Sequence, residues 1–363
     1  METHGVDVLP ALTEVYGSLP DGARLTQLAG DASTRTYYRF ETDGGQPRTL
    51  IVMHLPPDPL GSDEGGGEEV SELPFLSVQR LLASRGVPVP EIHAVDIPRR
   101  VVLLQDLGAD TFFDVLHRTE AAGWGELYGR AIDLLADMHG ACARPEAHVV
   151  YGRSFDRGLL RWELEHFRQW GLEALGVELA GDDRRAMDDC FDALVDCLLQ
   201  DPQGFAHRDY QSRNLMVQPD GSLIVIDFQD ALQGPRTYDL VALLCDSYVE
   251  LPLPLQLQML ARYCERARIE VAHRDEFVRA FWRVAVQRKL KDAGRFVFID
   301  QVRGNADFLQ WFPRSIRYVA RALAQLGDYG ALEGVLQRVI PGFPDDVGVP
   351  RAQTGARAGT PLR

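Results

Sequence analysis

The chain has 363 residues, of which 45% are hydrophobic, and this is enough to bury one large core or two smaller ones, so disorder of the whole chain is excluded. The formal net charge of −15 opposes binding to nucleic-acid phosphate and to anionic membranes, because both require clustered Lys and Arg on the protein. Almost all basic residues are arginine, and Lys289 and Lys291 are the two lysines of the sequence.

The cysteines and the start of the chain bear on the cellular compartment. The five cysteines lack the paired spacing of a zinc site and are predicted to be reduced core thiols. No apolar run approaches the roughly 20 residues of a membrane-spanning helix, and the acidic N-terminus lacks the basic segment that opens a signal peptide. We therefore expect a cytoplasmic protein with no membrane or nucleic-acid partner.

The first hundred residues predict a β-rich region. Short runs of strand-forming residues, separated by Gly and Pro, lie at 24–28, 36–41, 49–54, 91–95 and 101–104. One helix is predicted among them, from about Leu73 to Ser84, with Pro74 in its first turn and Gly86 as its C-terminal cap. The Gly-rich and acidic segment before it, 56–69, is predicted to be a surface loop.

Beyond residue 107 the pattern changes to a helical period. It is clear over 121–139, 159–174, 184–199 and 255–270. The exception is a predicted hairpin, 215–217 and 223–226, around the turn Pro219-Asp220-Gly221. The sequence thus predicts an α+β protein with a β-rich N-terminal lobe (1–107), a mostly helical C-terminal lobe (108–345) and a flexible tail (346–363).

Two motifs that flank this hairpin predict phosphoryl transfer. His207-Arg208-Asp209 with Asn214 fits the H-R-D-x-x-x-x-N catalytic loop, and Ile226-Asp227-Phe228 fits the metal-binding D-F element. Such a reaction needs a carboxylate to orient the acceptor hydroxyl and accept its proton, and Asp209 is the candidate. It also needs Mg²⁺ held by hard oxygen ligands, which Asn214 and Asp227 can supply.

The nucleotide side is marked less clearly. Small and hydroxyl-bearing residues in the loop 30–35 make Ser33, Thr34 and Arg35 candidates for phosphate contacts, with a plain β-turn as the alternative interpretation. The strand 50–54 lacks the lysine that kinases carry there. Arg35 is the favoured replacement because arginine offers phosphate a bidentate donor fork. There are three alternatives: another arginine contacts the phosphates, His54 contacts them weakly, or the protein does not transfer phosphate.

The segment 103–108 is the expected hinge between the lobes. Its backbone at Gln105 and Leu107 is predicted to hydrogen-bond the adenine edge of ATP. The glutamate that pairs with the strand lysine of kinases is left open between Glu69 and Glu72. Neither the Gly of a D-F-G motif nor an A-P-E motif follows Phe228, which favours a small acceptor over a protein.

From about residue 20 to 340 the chain resembles the aminoglycoside phosphotransferase superfamily, the small-molecule branch of the kinase-like fold. Within it the runs 207–216, 225–231 and 234–240 are most similar to bacterial amino-sugar kinases that phosphorylate N-acetylmuramate and N-acetylglucosamine at the anomeric hydroxyl. The resemblance implies a bilobal kinase-like fold, ATP and Mg²⁺ as cofactors, and a step of peptidoglycan recycling. It also implies that His207 and Arg208 are structural members of the loop, which Asp239 supports through Arg208 or a loop amide. An ordinary acid at a helix N-terminus is the alternative for Asp239.

A sugar acceptor needs polar groups beside the catalytic carboxylate, and Gln211, Arg213 and Asp230 are the candidates. Arg213 is the nearest cation for the lactyl carboxylate of N-acetylmuramate, with an ordinary surface arginine as the alternative. Trp162 and Trp170 could present an aromatic face to the sugar ring, although core packing is the favoured interpretation. The other histidines, His166 among them, are interpreted as structural.

Two alternative functions stay open. One is a kinase that acts on choline, homoserine or an aminoglycoside, and the other is a nucleotide-binding pseudokinase.

Overall fold

The computed structural model describes residues 2–3, 6–28, 35–57 and 72–350. The chain divides into two compact units, the first formed by Met1–Phe112 with Leu215–Gln229 and the second by Phe113–Asn214 with Asp230–Arg363. The predicted lobe boundaries stay a prediction, and the units differ from them in that the hairpin belongs to the first unit. Ser33, Thr34 and Glu69 lie outside the described residues, as does most of the predicted tail.

The first unit is built on an antiparallel sheet of five strands in the order β3-β4-β5-β7-β6. Its elements up to residue 105 are β1 (Glu2–Thr3), β2 (Val6–Asp7), α1 (Leu9–Tyr16), β3 (Arg24–Gln27), β4 (Thr36–Glu41), β5 (Thr49–His54), α2 (Pro74–Ser84), β6 (Ile92–Asp96) and β7 (Val101–Gln105). The predicted strands and the helix before Gly86 are confirmed to within about a residue at each end.

The prediction of a single helix in this region is wrong, because the structure has a second one, α1. Its sequence is short and carries Pro10 in the first turn, so no helical period is visible. Ala11 and Leu12 of this helix are buried in one apolar cluster with Phe40 and Val52 of the sheet. Tertiary packing of this kind stabilises short helices that propensity alone would not.

The register of β4 and β5 determines which side chains lie on each face of the sheet. Tyr38 lies opposite Val52, and both belong to the α1 cluster. Tyr37 lies opposite Met53. Because successive side chains of a strand point to opposite faces, Tyr37 and Met53 lie on the face away from α1.

The remaining elements are mostly helical. In chain order they are α3 (Phe112–Arg118), α4 (Trp124–Ala141), α5 (Val149–Gly152), α6 (Arg157–His166), α7 (Gly181–Gln200), β8 (Gln203–Ala206), β9 (Leu215–Val217), β10 (Leu223–Val225), β11 (Leu232–Pro235), α8 (Tyr238–Leu244), α9 (Leu253–Arg266), α10 (Val271–Arg303), α11 (Phe312–Leu326) and α12 (Gly330–Val339). The hairpin of β9 and β10 confirms the prediction, whereas β8 pairs with β11 in the second unit.

Helix α10 is the long central element of the second unit. It has 33 residues and is buried along most of its length, so its apolar residues follow no single stripe. Helix α6 continues as a π-helical segment, Phe167–Leu172, which packs against α10. A Cβ at Gly294 would lie 2.8 Å from the Phe167 Cα, so this glycine permits the close approach of the two elements.

Two further expectations can be compared with the structure. The five cysteines are unbridged thiols, and Cys142, Cys245 and Cys264 are buried, as expected for reduced core cysteines. Across the described residues, none of the helices combines the length and the apolar character that crossing a bilayer takes.

Candidate active site

The catalytic loop follows β8 in the second unit and is held by the buried carboxylate of Asp239. Its two oxygens accept hydrogen bonds from the backbone N–H groups of His207, at 2.7 Å, and Arg208, at 2.9 Å. The His139 ring lies 3.0 Å from the same carboxylate, and its other nitrogen contacts the Tyr263 hydroxyl at 2.7 Å. Arg208 has a φ of 75°, a left-handed conformation that this anchoring stabilises.

Asp209 contacts an arginine from α10. Arg288 Nη2 donates to Asp209 Oδ1 at 3.2 Å, and its Nη1 donates to the backbone carbonyl of Arg208 at 2.6 Å. The guanidinium also lies over the Tyr238 ring, 4.9 Å from its centroid. Arg288 is buried, whereas the Asp209 side chain is 37% exposed, so the carboxylate can still reach a substrate.

The cations around Asp209 set its protonation state. Burial alone would raise the pKa of Asp209, but Arg288, Lys291 and Arg208 outweigh this effect and lower it. Asp209 is therefore ionised near neutral pH. An acceptor hydroxyl would meet a carboxylate that can orient it and accept its proton.

A second carboxylate, that of Asp292 on α10, lies beside the cations that surround Asp209. Asp292 Oδ2 lies 2.6 Å from Lys289 Nζ, and Asp292 Oδ1 lies 3.1 Å from Lys291 Nζ. Burial would raise the pKa of Asp292, but these lysines and Arg288 hold it well below its usual range. Lys289 also donates to the Ser247 hydroxyl at 2.6 Å, so both lysines of the chain are paired in the second unit.

The loop ends in a 3-10 turn that presents Asn214. The Asn214 amide nitrogen donates to the Asp209 carbonyl at 2.8 Å, which leaves Oδ1 as the atom of this side chain that can bind a cation. The turn itself is fixed by Asp246, which accepts from the Ser212 backbone at 2.9 Å and hydroxyl at 2.5 Å. The structure therefore brings Asp209 and Asn214 together in one hydrogen-bonded loop.

The three residues predicted to bind the acceptor are placed differently from one another. Gln211 lies inside the loop and uses its backbone, since its N–H donates to the Asp209 carbonyl at 2.9 Å. The Arg213 guanidinium lies over two aromatic rings, 5.0 Å from the Phe113 centroid and 3.9 Å from that of Tyr248. Asp230 is exposed, and its charge acts on Arg208.

The first unit holds the D-F element after β10. Phe228 is fully buried and stacks on Phe75 of α2 at a centroid distance of 5.1 Å. Asp227 is exposed, with a φ of 64°, and its Oδ1 accepts from the Gln229 amide at 2.8 Å. A non-glycine residue in this conformation costs on the order of 1–3 kcal/mol, and such strain concentrates at functional sites.

Arg35 and Asp227 both act on Tyr37 of β4. Burial raises the pKa of Tyr37, a hydrogen bond and the charge of Arg35 lower it, and the charge of Asp227 raises it further. The candidate phosphate contact and the candidate metal ligand thus both lie near Tyr37 in the first unit. Tyr37 was not identified from the sequence.

His54 and Glu72 fit a nucleotide site less well. Burial and the nearby Arg100 lower the pKa of His54, so its ring is neutral at pH 7 and is a poor phosphate ligand. Glu72 pairs with Arg80 of α2. Strand β5 carries no lysine, and Met53 beside His54 is buried and apolar.

The predicted hinge is stiffened by a bidentate ion pair. Arg39 of β4 donates to both oxygens of Asp106, at 2.8 and 3.1 Å, and to the Gly108 carbonyl. The Gln105 N–H donates to Glu91, and the Leu107 carbonyl accepts from Gln218, so neither group is directed at a nucleotide.

A cavity of about 590 Å³ lies beside this hinge, lined by Thr49, Asp106, Leu107, Gly108, Ala109, Asp110, Val217, Gln218 and Pro219. Leu107 is the one predicted site residue in its lining, and we assign the cavity no role.

Asn214 of the second unit and Asp227 of the first unit each offer an oxygen of the kind that binds Mg²⁺. This ion is commonly bound by one or two protein oxygens together with substrate phosphates and water. The described residues contain no cluster of three or more His, Cys, Asp or Glu side chains that would form an all-protein metal cage.

The fold and the two motifs define a kinase-like phosphotransferase. A sequence profile of the phosphotransferase enzyme family matches residues 24–277, and the chain belongs to this family. This confirms the α+β kinase-like class expected from the sequence.

Curated proteins and solved structures resemble this chain in sequence or in fold. The chain is 37% identical over 335 residues to the N-acetylmuramate/N-acetylglucosamine kinase of Pseudomonas aeruginosa, covering 89% of this chain and 92% of the relative. It is 32% identical to the protein of the same name from Neisseria meningitidis, covering 87% and 90%. An AMP-bound spectinomycin phosphotransferase shares the fold, with a TM-score of 0.57 over 87% of this chain and 97% of that one at 14% identity. The choline kinase LicA of Streptococcus pneumoniae gives 0.55 over 84% and 94% at 16% identity.

Proposed function

We propose that the protein is an ATP-dependent kinase that phosphorylates the anomeric hydroxyl of N-acetylmuramate and N-acetylglucosamine. The names of relatives that align over about nine-tenths of the chain support the acceptor. The observation that carries the chemistry is the ionised Asp209 carboxylate, which is held by Arg288 and remains partly exposed. Both sugars carry the hydroxyl that this carboxylate would orient.

The roles of the site residues follow from their chemistry. Asp209 accepts a hydrogen bond from the acceptor hydroxyl and takes its proton as the oxygen bonds to the γ-phosphorus of ATP and ADP leaves. Arg35 is proposed to contact the ATP phosphates, together with Ser33 and Thr34 of the preceding loop. Asn214 and Asp227 would hold Mg²⁺, which offsets the negative charge of the phosphates. The Gln105 carbonyl and the Leu107 N–H are proposed to contact adenine.

The products would be ADP and a sugar 1-phosphate, a step of peptidoglycan recycling. Because ATP is the proposed donor, we place the reaction in the cytoplasm. Gln211, Asp230 and Arg213, whose guanidinium lies over two aromatic rings, are retained as proposed acceptor contacts beside Asp209.

Phosphorus NMR of the products tests this proposal. The protein would be incubated with Mg-ATP and, separately, N-acetylmuramate, N-acetylglucosamine, choline, homoserine and an aminoglycoside. The expected result is a phosphate signal coupled to an anomeric proton with both amino sugars. A phosphomonoester on another acceptor would replace the substrate, and ATP binding without any product would indicate a pseudokinase.

A further inference from the structure

A surface of aromatic rings lies along α6, the π-helical segment and α10. It consists of Trp162, His166, Trp170 and Phe298, and we call it the aromatic strip. The ring centroids lie 5.4 Å apart for Trp162 and His166, 5.6 Å for His166 and Phe298, and 5.1 Å for Trp170 and Phe298. Trp162 is 52% exposed, so the strip reaches solvent rather than ending in the core.

Cations of α10 connect this strip to the catalytic carboxylate. Arg288, Lys291 and Arg295 follow at spacings of three and four residues and so share one face of the helix. Arg288 contacts Asp209, and the Arg295 guanidinium lies 5.0 Å from the Phe298 centroid. Each turn advances about 5.4 Å along the helix, so the row of cations leads from the reacting centre to the strip.

The charge of Lys291 acts both on Asp209 and on His166 of the aromatic strip. Its charge helps to lower the pKa of Asp209. Burial lowers the pKa of His166 to about 4, and Arg295 and Lys291 act in the same direction. His166 is therefore neutral at pH 7, and the positive charge of this surface comes from α10 side chains: Lys291, Arg295 and also Arg303, whose guanidinium lies 5.9 Å from the Phe298 centroid.

Four of the nine buried polar atoms that lack a hydrogen-bond partner among the described residues belong to the aromatic strip, to α10 or to a residue in contact with α10. His166 Nε2, Tyr238 Oη, Gln287 Oε1 and Arg288 Nε are buried and, in the part of the chain that the structure describes, have no hydrogen-bond partner. All four residues are more than nine-tenths buried. Buried polar groups are normally satisfied by protein or by ordered water, and of these four atoms Arg288 Nε belongs to the residue that contacts Asp209 while His166 Nε2 belongs to the aromatic strip.

The two proposed substrates differ in charge, and cations beside the aromatic strip could distinguish them. Both have a pyranose ring whose C–H face can pack on an aromatic ring, but N-acetylmuramate alone carries a lactyl carboxylate. A carboxylate is bound most strongly by Lys and Arg through charge-assisted hydrogen bonds. Arg213, the candidate from the sequence, lies over the Phe113 and Tyr248 rings and is not a member of the aromatic strip.

Resting on the function proposed above, we infer that Lys291 and Arg295 bind the carboxylate of N-acetylmuramate while Trp162 packs against the pyranose ring. The aromatic strip is then the acceptor subsite, and the two cations distinguish the anionic amino sugar from the neutral one. Trp162 would contact the ring of both sugars, whereas Arg295 would contact only N-acetylmuramate.

Steady-state kinetics with both sugars tests this inference. Arg295→Gln is expected to raise KM for N-acetylmuramate on the order of tenfold, the effect of losing one charge-assisted contact, and to leave KM for N-acetylglucosamine within about twofold. Arg295→Lys should recover part of the loss. Trp162→Ala should raise KM for both sugars. The matched control is Arg279→Gln on the same helix, whose partner is the exposed Asp328.

The possible outcomes separate this inference from the proposed function. If the wild-type protein phosphorylates neither sugar, the function itself is wrong and the subsite falls with it. If both sugars are phosphorylated but Arg295→Gln changes their KM values equally, or changes neither, the subsite is overturned while the function stands. Lys291→Gln should reproduce the selective KM increase; if that variant melts early, Arg295→Gln and Trp162→Ala decide the matter alone.

Discussion

Arg288 Nη2 lies 3.2 Å from Asp209 Oδ1, joining two residues that are far apart in the sequence. The same guanidinium binds the carbonyl of Arg208, so helix α10 holds both the backbone and the carboxylate of the catalytic loop. Arg288 is a positioning residue in this account, because its contacts are to the loop rather than to a substrate.

Replacing Arg288 should impair catalysis and move its pH dependence. Arg288→Gln is expected to lower kcat on the order of 100-fold, since small displacements of a catalytic group have effects of this size. The pKa of Asp209 is lowered by Arg288, so its loss raises that pKa and the acid limb of the kcat/KM profile moves to higher pH. Arg288→Lys should return part of the rate and the original limb. An unmoved limb in a folded Arg288→Gln protein would contradict the assigned role.

Asp239 is expected to matter for both stability and activity. Asp239→Ala leaves the buried N–H groups of His207 and Arg208 without their acceptor, which should cost about 3 kcal/mol of unfolding free energy. Asp239→Asn retains the shape but directs an NH₂ group at one of these donors, so it should recover only part of the loss. Urea unfolding and kcat measured together provide the test. A stable, fully active alanine variant would support the alternative of an ordinary acid at a helix N-terminus.

Arg35 is expected to act on nucleotide binding. Arg35→Gln should raise KM for ATP about tenfold through loss of a charge-assisted phosphate contact, with a smaller effect on the acceptor KM. Tyr37→Phe should give a milder increase, because Tyr37 hydrogen-bonds Arg35. His54→Ala is the comparison variant, since its ring is neutral and lies near Arg100. An ATP KM that changes with His54 and not with Arg35 would reverse the assignment.

The Asp292 cluster predicts a pH-dependent stability. Because the pKa of Asp292 is lowered on folding, its contribution is present above the unfolded-state pKa near 3.9 and is lost as the pH falls through the folded value. Asp292→Asn should destabilise the protein by about 2–4 kcal/mol at pH 7, because the buried Lys289 and the partly buried Lys291 lose their largely buried partner. The loss should shrink at pH 3, which urea midpoints across pH 3–7 would measure. A constant difference over that range would argue against a charge effect.

The regular strands and the catalytic motifs could be predicted because their signals are local. Strands β4 and β5 are runs of six residues rich in strand-forming side chains, and the loop from His207 to Asn214 is one contiguous pattern. Helix α1 was missed because eight residues carry too short a period and its stability comes from the sheet beneath it.

Arg288 and Tyr37 could not be predicted for a different reason. Arg288 reaches Asp209 from a helix that is buried along most of its length, where apolar residues on several faces hide the period that would give its orientation. The run Arg288-Lys289-Leu290-Lys291-Asp292 was the available signal, since it holds both lysines of the chain beside an acid. For Tyr37, only the pairing with Met53 shows that it lies on the face of the sheet away from α1.

The most direct test of the account follows phosphorus NMR over time for the wild-type protein and Asp209→Asn, each with Mg-ATP and N-acetylglucosamine. We predict that the wild-type protein builds up a phosphate signal split by the anomeric proton, and that Asp209→Asn slows this signal by roughly 10²- to 10⁴-fold while still binding ATP. A wild-type-like rate from Asp209→Asn, or a product whose phosphate is not coupled to the anomeric proton, would contradict it.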